Sequence, residues 1–401
     1  MQEVFESVTH PAFPPTLRIK HLVRAGLVGT GLCALLLAPH AASANKTSPA
    51  QPSVLEPDST PTSPKYRELL ARAQAGDVHA QNEIAIMLAT GQGVHKSPSE
   101  AVRWWTLAAD KGSSDAQFNL GLAYDQGQGV AQNATQAAVL YEKAASQGSV
   151  GAMYNLAELV SSGNGVPMNL AQAAQYYEAA ANKGHVKSMY NLALAYSRGQ
   201  GVERDEVKAA HWMQKAAEAE LPRAQYLLAQ MYAQGIGVKK DPAKAAHWLE
   251  RAATGGHARA QYSYALYCQQ GQGVSADTAA AVRWYREAAK RNHTGAMCNL
   301  ALLLIEGKGV EKNTAEAESL LLRAAEMGDP KAMYNLGLLY QEGQVLPRNV
   351  TQAYYWLSLA ARHGLGEARK ALEAASKDLS RPEREGLDAR VAVFKPKAPG
   401  R

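Results

Sequence analysis

From residue 77 onward, apolar positions recur at helical spacing in stretches broken by glycine. Between Ser114 and Gln126, Ala116, Leu120, Ala123 and Tyr124 fall at i, i+4, i+7 and i+8, which is one face of a helix. Gly127 follows, and a helix end in the left-handed conformation favours glycine. A second helix starts after Asn133, so the pattern predicts two antiparallel helices, A and B. The step is fixed: Gly-x-Gly-Val begins at Gly91, Gly127, Gly163, Gly199, Gly235, Gly271 and Gly307, always 36 residues apart. Gly343 continues the series, with Val345 in place of the second glycine.

Other columns keep the same step. Ser97, Asn133, Asn169, Asp205, Asp241, Asp277, Asn313 and Asn349 precede the eight B helices. All are side chains that accept a bond from free backbone amides, and this predicts an N-cap at each. The return turn uses glycine in six units, while Glu220 and Asn292 take its place in two. Asparagine tolerates a left-handed backbone better than glutamate does, so an irregularity is expected at Glu220. Eight units span 77–364, with a capping helix expected over 65–76 and capping helices with a basic tail over 365–401. A solenoid needs polar ends, because a bare terminal face would stay apolar. The high alanine content and the low charged fraction, 19%, follow from small-residue contacts repeated in every unit.

The recurring unit resembles the SEL-one-like repeat (SLR), a tetratricopeptide-like motif. The resemblance covers 77–364 and rests on the whole A-x-x-x-L-[AG]-x-x-Y-x-x-G-x-G-V pattern with its N-cap, Ala, Trp and Ala-Ala columns. It implies an all-α fold, a right-handed alpha-solenoid of antiparallel helix pairs with helix A lining the concave side. A scaffold is thereby specified and its cargo is left open.

Residues 1–44 have the form of a secretory signal: Arg18, Lys20 and Arg24, then the apolar run Ala25–Ala38, then Ala42-Ser43-Ala44. Cleavage is expected before Asn45, and an uncleaved membrane anchor is the alternative. Residues 45–64 carry five prolines among Ser, Thr and Ala, which marks an extended linker. The net charge of +6 does not sit in the repeats, where 26 Lys/Arg face 25 Asp/Glu. A nucleic-acid groove is therefore not expected, and the basic tail should be solvated.

Two columns of helix A could carry binding. One is Phe118, Tyr154, Tyr190, Tyr226, Tyr262 and Tyr334, with Cys298 in the seventh unit; the other is Asn119, Asn155, Asn191, Asn299 and Asn335. The resemblance places both on or beside the concave groove. Tyrosine offers an apolar face with a polar tip and asparagine both donor and acceptor, so the columns could clamp an extended peptide or glycan. Alternatively they are repeat grammar, with the asparagines bonding to backbone between units. The tryptophans at 104, 212, 248, 284 and 356 share one column and are expected to pack between helices. His185, His257 and His293 begin A helices and are expected to cap rather than to bind metal. Cys268 and Cys298 sit six repeat positions apart, too far along the axis for a disulfide.

The expected function is a non-enzymatic protein-interaction scaffold of the bacterial envelope, periplasmic or secreted, with no cofactor. Its partner would be another protein or a glycan-associated one. The alternative is an envelope hydrolase acting on β-lactam or peptidoglycan, a chemistry linked to some proteins of this repeat family. No Gly-x-Ser-x-Gly elbow or other assignable residue set accompanies it.

Overall fold

The computed structural model describes residues 63–397, and the expected signal and most of the linker lie outside them. The described residues form nineteen helices and no strand. They divide into two compact units, 63–215 and 216–397, with the division inside one helix.

The first unit contains α1 (Pro64–Gln74), α2 (Val78–Thr90), α3 (Pro98–Asp110), α4 (Ser114–Gln126), α5 (Ala134–Ser146), α6 (Val150–Ser162), α7 (Leu170–Asn182), α8 (Val186–Arg198) and most of α9 (Glu206–Glu218). The second contains α10 (Pro222–Gln234), α11 (Pro242–Thr254), α12 (Ala258–Gln270), α13 (Thr278–Lys290), α14 (Thr294–Glu306), α15 (Thr314–Glu326), α16 (Pro330–Glu342), α17 (Val350–Arg362), α18 (Ala368–Ser376) and α19 (Arg381–Val393). In the seven repeats that lie wholly within one unit, the A helix packs against its B helix, and within each unit the B helices of these repeats pack against the A helix that follows.

Alanine makes this spacing possible. The Ala101, Ala137 and Ala173 column and the Ala108, Ala144 and Ala180 column are buried, as are their counterparts in the second unit. Side chains this small let helix backbones approach closely. Each B helix is held at its start. The side chains of Asn133, Asn169, Asp205, Asp241, Asp277, Asn313 and Asn349 accept from the backbone amide three residues on, at 2.8–3.1 Å. Ser97 makes no such side-chain bond, so seven of the eight expected caps form. The tryptophans are buried or half-buried along the B helices.

The turns explain the glycine pattern. The first glycine of each Gly-x-Gly takes a left-handed φ and ends helix A. The second makes a joint between repeats. A Cβ on Gly129 would lie 2.2 Å from the carbonyl oxygen of Pro98, and one on Gly273 would lie 2.1 Å from that of Pro242. Only a residue without a side chain lets these backbones meet. In the B-to-A turns, Glu220 and Asn292 adopt φ of 61° and 63°, so the chain keeps the left-handed turn even where glycine is missing.

Both ends differ from the interior. The Ser63 amide donates to the Gly93 carbonyl at 2.8 Å, tying α1 to the first repeat. The tail stays exposed at Lys395, Pro396 and Lys397, as its charge suggested, but it is also tied to the repeats. Lys397 donates its backbone amide to the Glu326 carbonyl at 2.7 Å, and its Nζ reaches the Glu326 carboxylate at 2.8 Å. Phe394 packs edge-on against His363.

Candidate functional site

The aromatic column lies on helix A, and Phe118, Tyr154, Tyr190 and Tyr334 each stand one residue before an asparagine. In the first unit Phe118, Tyr154 and Tyr190 are half-buried. Their inner edges meet a second aromatic row on helix B: Phe118 lies 6.0 Å from Tyr141, and Tyr154 lies 6.3 Å from Tyr177, centroid to centroid. In the second unit Tyr226 and Tyr262 are also half-buried, whereas Tyr334 is buried.

The asparagines do not bond to backbone, as the alternative reading expected. They reach side chains of the preceding repeat. Asn119 Nδ2 donates to Asn82 Oδ1 at 3.1 Å, and Asn191 Nδ2 donates to Glu158 Oε1 at 2.8 Å. Asn155 hydrogen-bonds the Tyr141 hydroxyl, and Asn299 Nδ2 donates to that of Tyr285 at 3.1 Å. Tyr141 in turn donates to Asp125, Tyr177 to Glu158 and Tyr285 to Gln269. Burial, together with the adjacent carboxylates, raises the Tyr141 and Tyr177 hydroxyls well above the ordinary tyrosine value, so both stay protonated donors. Asn299 and Asn335 are buried, and neither amide atom of Asn335 has a partner within the protein. Burial removes Asn299, Tyr334 and Asn335 from any surface a partner could touch.

The backbone role belongs to a column that sequence reading passed over. Gln81, Gln117, Gln225 and Gln261 are buried, and each Nε2 donates to the carbonyl of the residue eight before it, an alanine in every case, at 3.0–3.2 Å. In the other repeats the slot holds Met153, Met189, Met297 and Met333. Methionine matches glutamine in length, so the slot keeps its volume when it loses its bond. This alternation at the 36-residue step was the available signal.

The histidines cap and also stack. Nδ1 of His257 accepts from Ala260 N and that of His293 from Ala296 N, both at 3.2 Å. His185 does the same for Ser188 N at 3.3 Å. Each ring lies against the tyrosine of the preceding repeat: His185 at 4.7 Å from Tyr154, His257 at 4.8 Å from Tyr226, His293 at 4.5 Å from Tyr262. An accepting Nδ1 requires the neutral ring with its proton on Nε2. Burial, then the Arg259 charge, lowers both His257 and His293 to about 4.

The repeat geometry is matched by a known family. Its model, the Sel1 repeat, fits eight consecutive segments: 78–113, 114–149, 150–185, 186–221, 222–257, 258–293, 294–329 and 330–365. The chain belongs to the Sel1 repeat family.

Two solved Sel1 or SLR structures resemble it. The Sel1 repeat protein from Oxalobacter formigenes is 28% identical, with a TM-score of 0.61 over 82% of this chain and 97% of that one. The protective antigen c5321, present in uropathogenic Escherichia coli strains, is 28% identical, with a TM-score of 0.52 over 82% of this chain and 79% of that one. No curated protein matches the chain. The fold is an all-helical solenoid of paired helices, as in these neighbours. Sel1 repeat proteins are generally protein-interaction scaffolds, and the fold is typically non-catalytic.

Other chemistry in this Sel1 chain is sparse. Cys268 and Cys298 are both buried free thiols, and burial raises each above its ordinary value, which makes them poor nucleophiles. No three His, Cys, Asp or Glu side chains cluster as metal ligands among the described residues. No helix among them is long and apolar enough to cross a membrane.

Proposed function

We propose that this Sel1 repeat protein is a non-enzymatic adaptor exported to the bacterial envelope, which holds a partner protein in extended form against the A helices of the 63–215 unit. The observation that carries this reading is the row Phe118, Tyr154 and Tyr190. These rings stay half open at one-repeat steps while the alanine and leucine columns beside them are buried. Aromatic rings give a large contact area for little lost conformational freedom. Asn119, Asn155 and Asn191 fix the register between repeats, so the rings are presented at a constant interval. Export rests on the leader-like residues 18–44. That the 28% identical c5321 is a protective antigen accords with it.

Proximity labelling from the envelope fraction, with the wild-type chain and a Tyr154→Ala/Tyr190→Ala variant, tests the proposal. A partner labelled by the wild type and lost in the variant, at unchanged melting temperature, supports it. Unfolding of the variant without a separate binding defect, or nitrocefin turnover abolished by one point mutation, overturns it. An Asn45 start found by mass spectrometry on the native protein would support export with cleavage.

A further inference from the structure

The A helices of the second unit carry an unusual charge pattern. α10 and α12 contain no Asp or Glu, and their only charges are Arg223 and Arg259. Both arginines are exposed, and neither bridges a carboxylate among the described residues. Other arginines of the same unit are paired: Arg251 with Glu220, Arg286 with Glu316 and Arg348 with Asp378, at 2.6–3.1 Å. Arg223 stands three residues before Tyr226, and Arg259 three before Tyr262, so each guanidinium shares a helix face with a half-buried ring. His257 and His293 stack on those rings and are held neutral, so they add apolar surface and no competing cation. His257, two residues before Arg259, stacks 4.8 Å from Tyr226, three residues after Arg223, which brings both arginines to one local patch. The same slots in the first unit hold His79, Asp115, Gly151 and Lys187, which form no such pair.

We infer that Arg223 and Arg259, beside Tyr226 and Tyr262, form a docking surface for an acidic protein segment whose carboxylates are three residues apart. This rests on the reading of helix A as the partner-binding face, and it adds the chemistry of a partner for the second unit. Two unpaired guanidiniums on helices that carry no carboxylate, with Asp329 facing the neighbouring His293, leave a local positive excess that an anionic partner neutralises, and arginine favours carboxylates in bidentate geometry. A chain in the polyproline II conformation advances about 3.1 Å per residue with three residues per turn, so side chains at i and i+3 point the same way about 9 Å apart. The tyrosine rings beside the arginines would take apolar residues of the segment. Two isolated charges on a tyrosine face suit such a segment better than the closely spaced phosphates of a nucleic acid, whose binding needs a basic track.

Fluorescence anisotropy on the full chain tests this with three labelled probes. They are a twelve-residue Pro/Ala peptide with Glu at every third position, its Gln counterpart, and a twelve-nucleotide single-stranded DNA. The expected result is saturable binding of the Glu peptide, with the Gln peptide and the DNA at least about tenfold weaker. Arg223→Gln/Arg259→Gln should weaken the Glu peptide by about tenfold or more at unchanged circular dichroism and melting temperature. Arg223→Lys/Arg259→Lys should recover only part of the loss, because lysine lacks the bidentate fork. Equal binding of the Glu and Gln peptides, tighter binding of the DNA, or no effect of the Gln variant would each overturn the inference. Tyr154→Ala/Tyr190→Ala should leave peptide binding intact, so a first-unit partner that is still labelled in that variant would count against the proposed adaptor face and not against this site.

Discussion

Alanine at the second glycine of a Gly-x-Gly should be far more damaging than alanine at a turn glycine, although both positions have left-handed backbones. Gly129 has φ of 74°, and a Cβ there would sit 2.2 Å from Pro98 O and 2.7 Å from Ser99 N. Carbon and oxygen make favourable contact only beyond about 3.5 Å, so the overlap exceeds 1 Å and is with backbone, which cannot rotate away. Gly112 has φ of 89° and nothing within 4 Å of the added atom. Gly112→Ala therefore costs only the left-handed conformation of an L-residue, about 1–2 kcal/mol. Gly129→Ala adds an overpacking cost of about 1–3 kcal/mol. The difference of about 1–3 kcal/mol should appear as a lower urea midpoint for Gly129→Ala, measured side by side. Hydrogen exchange should rise first in α3 and α4, which flank the joint, because solenoid stability is carried by nearest-neighbour interfaces. Equal midpoints for the two variants would refute the claim that this glycine serves a contact between repeats.

Other substitutions test the remaining columns. Gln261→Met should change stability by less than about 1 kcal/mol, because the Ala253 carbonyl still accepts from Gly256 N and the unpartnered Oε1 is removed; Gln261→Ala should cost about 2–4 kcal/mol through the cavity, both read by urea denaturation. Asn335→Leu should raise stability by about 1–3 kcal/mol, since a buried amide without protein partners is replaced by the residue that Leu227 already supplies in its repeat; a loss instead would show that the amide is satisfied. His257 and His293 have values near 4 in the folded chain against about 6.5 unfolded, so folding favours their neutral forms. That contribution is complete above about pH 6.5 and is lost as pH falls towards 4, the charges facing the rings being Arg223, Arg259 and Asp329. A His257→Asn/His293→Asn variant keeps capping side chains that do not titrate, so its melting temperature should fall less than the wild type's between about pH 7 and pH 4.5; parallel losses would count against the stacked histidines.

The repeat, its helix boundaries and its turns were legible because periodicity states the same fact eight times. Ser114–Gln126 could be bounded from sequence, since Ser113, the apolar face and Gly127 all mark it. The N-cap column was legible for the same reason, with Ser97 the exception that its residue type could not reveal. The candidate face was less so. A column shows that two residues are equivalent, but equivalence is lost where a cap covers one of them. Tyr334 and Asn335 occupy the same slots as Tyr154 and Asn155, yet they are buried. Partners across repeats were also invisible: the stacking of His257 on Tyr226 joins residues 31 apart, which neither position announces. The Arg223 and Arg259 pair needed the structure, because overall charge balance in the repeats concealed a local excess.

The glycine joints also set how such a chain can change in length. Gly129 meets Pro98, Gly165 meets Ala134 and Gly273 meets Pro242, each pair 31 residues apart. Excising residues 114–149 would bring Gly165 to Pro98 with that same separation, so a shortened chain would meet no mismatched seam. An excision that is not a whole number of repeats would break that register and set a side chain where only hydrogen fits. Recombination can thus add or remove whole repeats silently, and it leaves any partner specificity to the few surface residues that differ from one repeat to the next.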